Sequence, residues 1–268
     1  MAKTPETAWY GWRRDEPDTR DRLYAAIAHP PKRLPARVDL RPFCSAVENQ
    51  GSIGSCTAHA LVGNLEFLAK RAGRRPLALS RLFVYYNARV FEGTQRRDEG
   101  ARIRNGVKSL VKQGVCPEKL WPYRIHQFAR KPLARCYRSA AGHQVTSYHR
   151  VKGLAEMRQC LAEGFPFVFG MTTHERFESA AVARTGRVDL PRPGEEQCYG
   201  HSVCAVGYDD RTQRFVVRNS WGRDWGRRGY FTLPYDYAAN PELADDFWTL
   251  RAFENGGEAA NRTGRKRP

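Results

Sequence analysis

The chain has 268 residues, a composition of 41% hydrophobic and 12% aromatic residues, and a net charge of +17. This is the make-up of a globular protein large enough for one big domain, and it excludes a wholly disordered chain. No stretch approaches the roughly 18 apolar residues of a membrane span, and the first residues lack the apolar core of a conventional secretory signal, so a cytoplasmic protein, or one exported without such a signal, is expected. The excess charge is mostly Arg, scattered along the chain without a nucleic-acid-binding motif, and reads as a solvated surface rather than a polyanion site.

In chain order, residues 1–33 are rich in charge and Pro, carry Trp9, Tyr10 and Trp12, and close on Pro30-Pro31. They read as an extended arm with one short helix at 19–28. Apolar residues at helical spacing (Leu61, Leu65, Leu68, Ala72) predict a helix that starts near Cys56 and stops at Gly73. Further helices are expected at 80–91, capped by Ser80, at 105–113, capped by Asn105 and stopped by Gly114, and at 153–163. Beyond 164 the pattern changes to short strands: Val168–Met171, Ser202–Tyr208, Phe215–Asn219 and Gly229–Leu233. Helices followed by strands predict an α+β fold of two lobes. Residues 255–268 read as a loose basic tail.

Seven cysteines (44, 56, 116, 136, 160, 198 and 204) leave at least one thiol unpaired in a monomer. Cys56 stands out. The segment Gln50-Gly51-Ser52-Ile53-Gly54-Ser55-Cys56 leads into the first helix, where unpaired N–H groups and the helix dipole favour a thiolate. Gly51 and Gly54 let backbone come close to a ligand. Gln50 is placed to fold back and donate its amide to an oxyanion beside Cys56. The same segment also fits a buried cap with a Gly-rich approach loop.

A partner base is suggested by His201, which opens a β-rich run that turns near Asp210 and returns through Asn219. If paired positions sum to about 420, His201 faces Asn219 across a hairpin, and the amide can fix the imidazole tautomer. Thiol, imidazole and an orienting third group are the parts of a thiol hydrolase. The spacing of Cys198, His201 and Cys204 invites a metal reading, but residues three apart on a strand point to opposite faces, so no metal or cofactor is implied. Trp221 and Trp225, among three glycines, form an aromatic loop suited to covering the His–Asn bond.

Together these blocks resemble the papain-like cysteine peptidases. Gln50 to Cys56 is similar to the family's Gln-Gly-x-Cys-Gly-Ser-Cys. Gly200-His201-x-Val203-x-x-Val206-Gly207-Tyr208 resembles its histidine strand, and Asn219-Ser220-Trp221-Gly222-x-x-Trp225-Gly226-x-x-Gly229-Tyr230 its asparagine block. The separation of 145 positions from Cys56 to His201 agrees with the spacing of that family. Leu34 to Arg41 looks like a mature-enzyme start, and the likeness runs from about 34 to 253. The resemblance implies a papain-like fold, a helical lobe and a β-barrel-like lobe with the active-site cleft between them. It implies Cys56 as nucleophile, His201 as acid/base, Asn219 as orienter, and Gln50 with the Cys56 N–H as the oxyanion hole. It implies Gly100, Ala101, Ile103, Gly170, Ser202 and Trp221 as substrate-binding residues.

Three departures mark this chain. Ile53 stands where secreted members carry a disulfide Cys, and Thr57 where they carry an aromatic. Gly100-Ala101 replaces the glycine pair that binds substrate backbone. Residues 1–33 are far shorter than the usual inhibitory pro-segment and look like the short extension of bacterial members. The expected activity is a monomeric cysteine endopeptidase acting on polypeptides through an acyl-thioester. A papain-fold binding scaffold, and an acyltransferase or peptide ligase on the same site, remain open. Ile103, Gly170 and Ser202 predict a pocket for an aliphatic or aromatic residue next to the cleaved one. The arm is expected to pack on the enzyme, either across the cleft as a tethered inhibitor or behind a lobe as a brace.

Overall fold

The computed structural model describes residues 10–29, 33–74 and 77–254. The expected tail, and Trp9, Pro30 and Pro31 in the arm, lie outside the described residues. Helix α1 (Cys56–Arg71) is buried along nearly its whole length, from Cys56 to Ala69. Such a helix must be wrapped on all sides, and it is: α2 (Arg81–Val90) and α3 (Ile103–Lys112) pack on one side, the sheet on the other. It ends where expected, at Gly73 with φ +67°, in the left-handed region that glycine enters without strain. Ser80 caps α2, its Oγ accepting from the Phe83 N–H at 3.1 Å.

Asn105 does not cap α3; it sits inside the helix, which begins two residues earlier at Ile103. The N-terminal amides are satisfied by distant carboxylates: Glu92 accepts from Arg102 N at 3.0 Å and Asp15 from Arg104 N at 3.2 Å. A local cap signal cannot report such partners. The expected arm helix at 19–28 is likewise reduced to one 3-10 turn, Tyr24–Ala26. Just before it, the Arg22 carbonyl accepts from Arg150 N at 2.7 Å, so the backbone there serves the sheet and not a helix.

The second lobe is a seven-stranded antiparallel sheet, with helix α5 (Gly153–Ala162) packed against it. Strand β1 (Arg37–Asp39) pairs with β4 (Gln197–Asp209), and the remaining order is β2 (Val145–Arg150), β7 (Ala244–Phe253), β3 (Phe167–His174), β4, β5 (Arg214–Arg218), β6 (Tyr230–Pro234). β1, β2 and β7 carry no clear alternation and escaped the sequence reading, as did the short helices α4 (Ala134–Ala140), α6 (Ala180–Thr185) and α7 (Tyr235–Ala239). β7 lies between two strands and opens with Asp245-Asp246, whose charges hide a buried strand from a pattern search. No described helix is long and apolar enough to cross a membrane.

The β4–β5 register differs from the expected sum of 420. Cys204 pairs with Arg218 and Asp209 with Arg214, with an irregularity between Ala205 and Gly207. Next to the site the slip is two residues, and an even slip keeps side chains on their faces. Asn219 lies just past the end of β5, and its N–H goes to the Gly229 carbonyl at 3.0 Å. His201 and Asn219 are therefore not ladder partners and meet through their side chains alone.

Candidate active site

Cys56 is the first residue of α1 and projects from the helical lobe toward β4. Opposite it, His201 Nε2 lies 2.8 Å from Asn219 Oδ1. With the amide oxygen as acceptor, Nε2 carries the proton and Nδ1 is the nitrogen left to exchange one; among the described residues Nδ1 has no hydrogen-bond partner. Asn219 Oδ1 also accepts from Ser220 N at 2.9 Å, which fixes the amide. Trp221 lies over the imidazole, ring centres 5.1 Å apart, and Trp225 and Phe177 pack behind it. His201 is fully buried and Asn219 nearly so.

Gln50 is tied into the same wall. Its backbone N–H goes to Ser220 O at 2.9 Å and its Oε1 accepts from Ser220 Oγ at 2.6 Å. Nε2 donates to Ile53 O at 3.0 Å. Two side chains that the sequence reading passed over hold this segment. Tyr123 OH donates to Gln50 O at 2.8 Å and lies 2.6 Å from Ser55 Oγ. Asp98 accepts from Gly54 N at 3.0 Å and from the Tyr85 hydroxyl. With Ile53 unable to form a disulfide, this carboxylate ties the loop before Cys56 to α2.

The arm crosses this site. Ala101 N donates to Gly11 O at 2.7 Å and Trp12 N donates to Gly200 O at 3.0 Å. Ser202 N donates to Cys56 Sγ at 3.4 Å. Gly11 must be glycine: a Cβ there would stand 1.9 Å from Gly54 O. Gly100, at φ +71°, gives the same clearance from the other side. The Trp12 indole fills the space that the missing side chain of Gly170 leaves open, a Cβ there falling 1.8 Å from the ring. Tyr10 covers the imidazole edge-on at 5.5 Å, stacks on Tyr199 at 4.9 Å, and donates to Glu178 at 2.8 Å.

All the substrate-binding positions named from the resemblance except Ile103 are thereby placed by an observed contact. Gly100, Ala101 and Gly170 touch the arm, Ser202 the sulfur, and Trp221 the imidazole and Tyr10. Ile103 is fully buried at the start of α3. The pocket is not purely apolar. Asp246, buried on β7 with φ +56°, accepts from Trp12 Nε1 at 3.1 Å and Asp15 N at 2.7 Å and pairs with Arg150 at 2.7 Å. Burial first, and the neighbouring Asp15 charge second, push its carboxyl up to about 7.

Burial opposes, in this state, the thiolate expected at the helix terminus. Under the arm, Cys56 is wholly inaccessible and desolvation raises its pKa, outweighing the backbone N–H groups that lower it. Desolvation lowers His201 to about 4, against the raising effect of Asn219. Both groups are driven toward their neutral forms.

A buried cysteine at a helix N-terminus, bonded across the lobes by the N–H that follows an Asn-oriented histidine, is the arrangement of a cysteine peptidase of the papain type. The sequence bears this out: residues 34–247 match the papain family of cysteine proteases, and the chain belongs to that family. A crystal structure of xylellain, a cysteine protease from Xylella fastidiosa, is similar at 40% identity and a TM-score of 0.85, covering 91% of this chain and 96% of that one. An uncharacterised peptidase C1-like protein of Acanthamoeba polyphaga mimivirus is 36% identical over 90% of this chain and 86% of its own. Cysteine proteinase 3 of Entamoeba histolytica is 26% identical over 82% and 68%. The fold is the two-lobed α+β fold of papain, and the protein is a cysteine peptidase.

Proposed function

We propose that the chain is an endopeptidase that cleaves polypeptides through an acyl-thioester on Cys56, and that the arm, taken as residues 1–33 ahead of a peptidase domain at 34–254, holds it inactive. In the open site, Cys56 passes its thiol proton to His201, the sulfur attacks the peptide carbonyl, and a C–S bond forms as the carbonyl oxygen takes up the charge. Gln50 and the Cys56 N–H receive the oxyanion. His201 gives its proton to the leaving amine, then takes one from the water that hydrolyses the thioester, while Asn219 holds the ring.

One observation carries the reading. The described arm already lies at Cys56 as an extended peptide, bonded through its backbone to Ala101 and Gly200 and through Trp12 to the pocket at Gly170. A site that takes this backbone takes a substrate backbone by the same groups. The Gly11 carbonyl is taken up by the Ala101 N–H. Trp12 favours an aromatic side chain in the pocket, and Asp246 favours one bearing an N–H or O–H.

A papain-fold scaffold also fits a filled cleft, and a ligase shares the acyl-thioester. One experiment separates them: digestion of a peptide library by the chain lacking residues 1–33, beside the same chain carrying Cys56→Ala. Internal cleavage that depends on Cys56, with aromatic or aliphatic residues enriched next to the cleaved one, is expected. No turnover favours the scaffold, peptide joining favours the ligase, and acidic or basic residues winning in the pocket refutes the specificity.

A further inference from the structure

We propose that a groove on the outer face of the sheet, apart from the catalytic cleft, is a binding site for a small oligophosphate anion. The groove encloses about 440 Å³. Side chains alternate along a strand, so Phe215, Val217, Phe231 and Leu233 of β5 and β6 are buried in the core, while Arg214, Val216 and Thr232 line the groove as its floor. On one side, beyond β4, β1 brings Arg37, with Arg41 just after it. On the other side, the stretch after α6 bridges β6 through Arg187 and Thr232, and Arg227 sits beside it against Gly186. Arg214 lies at the end of β5 remote from Asn219, roughly 16 Å away at about 3.3 Å per residue. The site is therefore independent of the peptidase chemistry.

The five arginines form no basic run in the sequence; the fold gathers them. Three are already engaged. Asp39 accepts from Arg41 at 2.9 and 2.6 Å, and Asp189 pairs with Arg187 at 3.3 Å and Arg214 at 3.1 Å. Arg214 also donates to Thr232 Oγ1 and Thr232 O, each at 3.1 Å. Asp209, the acidic lining residue, accepts from Arg211 N at 3.0 Å. Five guanidiniums thus face three carboxylates, and two positive charges are left unmatched. Arg37 and Arg227 are exposed and make no ion pair among the described residues. Burial, and then the Arg187 charge, pull the Arg214 guanidinium down, as expected where cations crowd with too few anions. The donors define the ligand. A guanidinium presents a planar fork of N–H groups that fits a phosphate with two bonds at once. A phosphate group carries close to two negative charges at neutral pH, more than a carboxylate brings. Unmatched forks on opposite sides of a groove larger than a single phosphate call for two or more phosphate groups in one ligand.

The test is a calorimetric titration of the full-length chain with sodium tripolyphosphate at physiological ionic strength, beside the same titration with orthophosphate. Saturable binding of one equivalent is expected, at least about tenfold tighter than orthophosphate because the linked groups bind together, with a rise in melting temperature. The double variant Arg37→Ala/Arg227→Ala should weaken tripolyphosphate binding by about tenfold or more, since charged hydrogen bonds are lost. Arg135→Ala, which removes an exposed charge on α4, should leave it unchanged. No saturable binding, several equivalents, or orthophosphate binding as tightly overturns the proposal. So does a double variant that binds like the parent chain, or an equal loss in Arg135→Ala, either of which would assign the effect to net charge. If the double variant does not fold, Arg227→Ala alone decides by the same comparison.

Discussion

The catalytic wall and the arm that covers it are built on opposite principles. The wall, α1 with β4 and the segment after β5, is held by backbone ladders and close neighbours: Gln50, Ser220, Asn219 and His201 bond directly in sequence of contact. The arm has almost no structure of its own. It is held by isolated backbone bonds to Ala101, Gly200 and Arg150 and by side chains of the body: Arg104 grips Asp21 with two bonds at 2.9 and 2.7 Å, Arg150 also reaches Asp21, and Trp248 donates to Asp15 at 3.0 Å. A segment fixed by scattered bonds and its host's side chains has no continuous ladder to hold it in place, whereas the wall has one. The difference teaches that the wall is a fixed frame and that the arm is a separate segment laid on it, which is what the proposed inhibition requires.

The first way to break that comparison is to remove the chemistry from the wall. Cys56→Ala in the chain lacking residues 1–33 should lower kcat by roughly 10⁴-fold or more, with the melting temperature kept; retained turnover would mean that the nucleophile lies elsewhere. Next comes the arm. Deleting residues 1–33 should raise kcat/KM on a small peptide by roughly 100-fold or more, because a tether holds a blocker at a millimolar effective concentration. Iodoacetamide should then label Cys56 faster than the other thiols, while in the full-length chain its burial protects it. Since Tyr24 is fully buried, deletion also removes core. Gly11→Ala, which puts a methyl group into Gly54 O, is the gentler variant and should raise labelling in the same direction. Equal labelling of intact and truncated protein would leave the arm a brace and nothing more.

Asn219→Ala sharpens the account of the wall. Losing a hydrogen bond to the charged imidazole is worth about 1.5–3 kcal/mol, so kcat should fall roughly ten- to hundredfold, with KM little changed. An unchanged kcat would show that Trp221 alone orients the ring. The smallest effect is on stability. In the full-length chain His201 is held at about 4 and His59 at about 3 by burial, both below the unfolded value. As pH falls from about 6.5 toward 4, the unfolded chain takes up protons that the folded one refuses, so stability contributed by these residues is lost over that window. Thermal melts across it should show Tm falling on acidification, less steeply once the arm is deleted and His201 meets water. An identical slope in the two chains would show that the arm does not bury the imidazole.

Much of the wall was legible in the sequence because its determinants are local. Helix α1 announces itself by spacing, its end by Gly73, its reactive start by a Gly-rich run into Cys56, and the β4–β5 hairpin by two β-rich runs about a polar turn. Even a two-residue error in register left His201 and Asn219 on one face, since side chains alternate with period two. What only the tertiary structure decided depends on residues far apart in the chain. The start of α3 is set by Asp15 and Glu92, not by Asn105. The polarity of the pocket is set by Asp246, more than 70 residues from Gly170, and the arm's path by Arg104 and Arg150. The protonation of the Cys56–His201 pair is set by burial, which no local motif encodes. The sequence alone determined which groups could react. How deeply those groups are buried in the intact chain was decided by the tertiary structure, because burial is a property of everything packed around them.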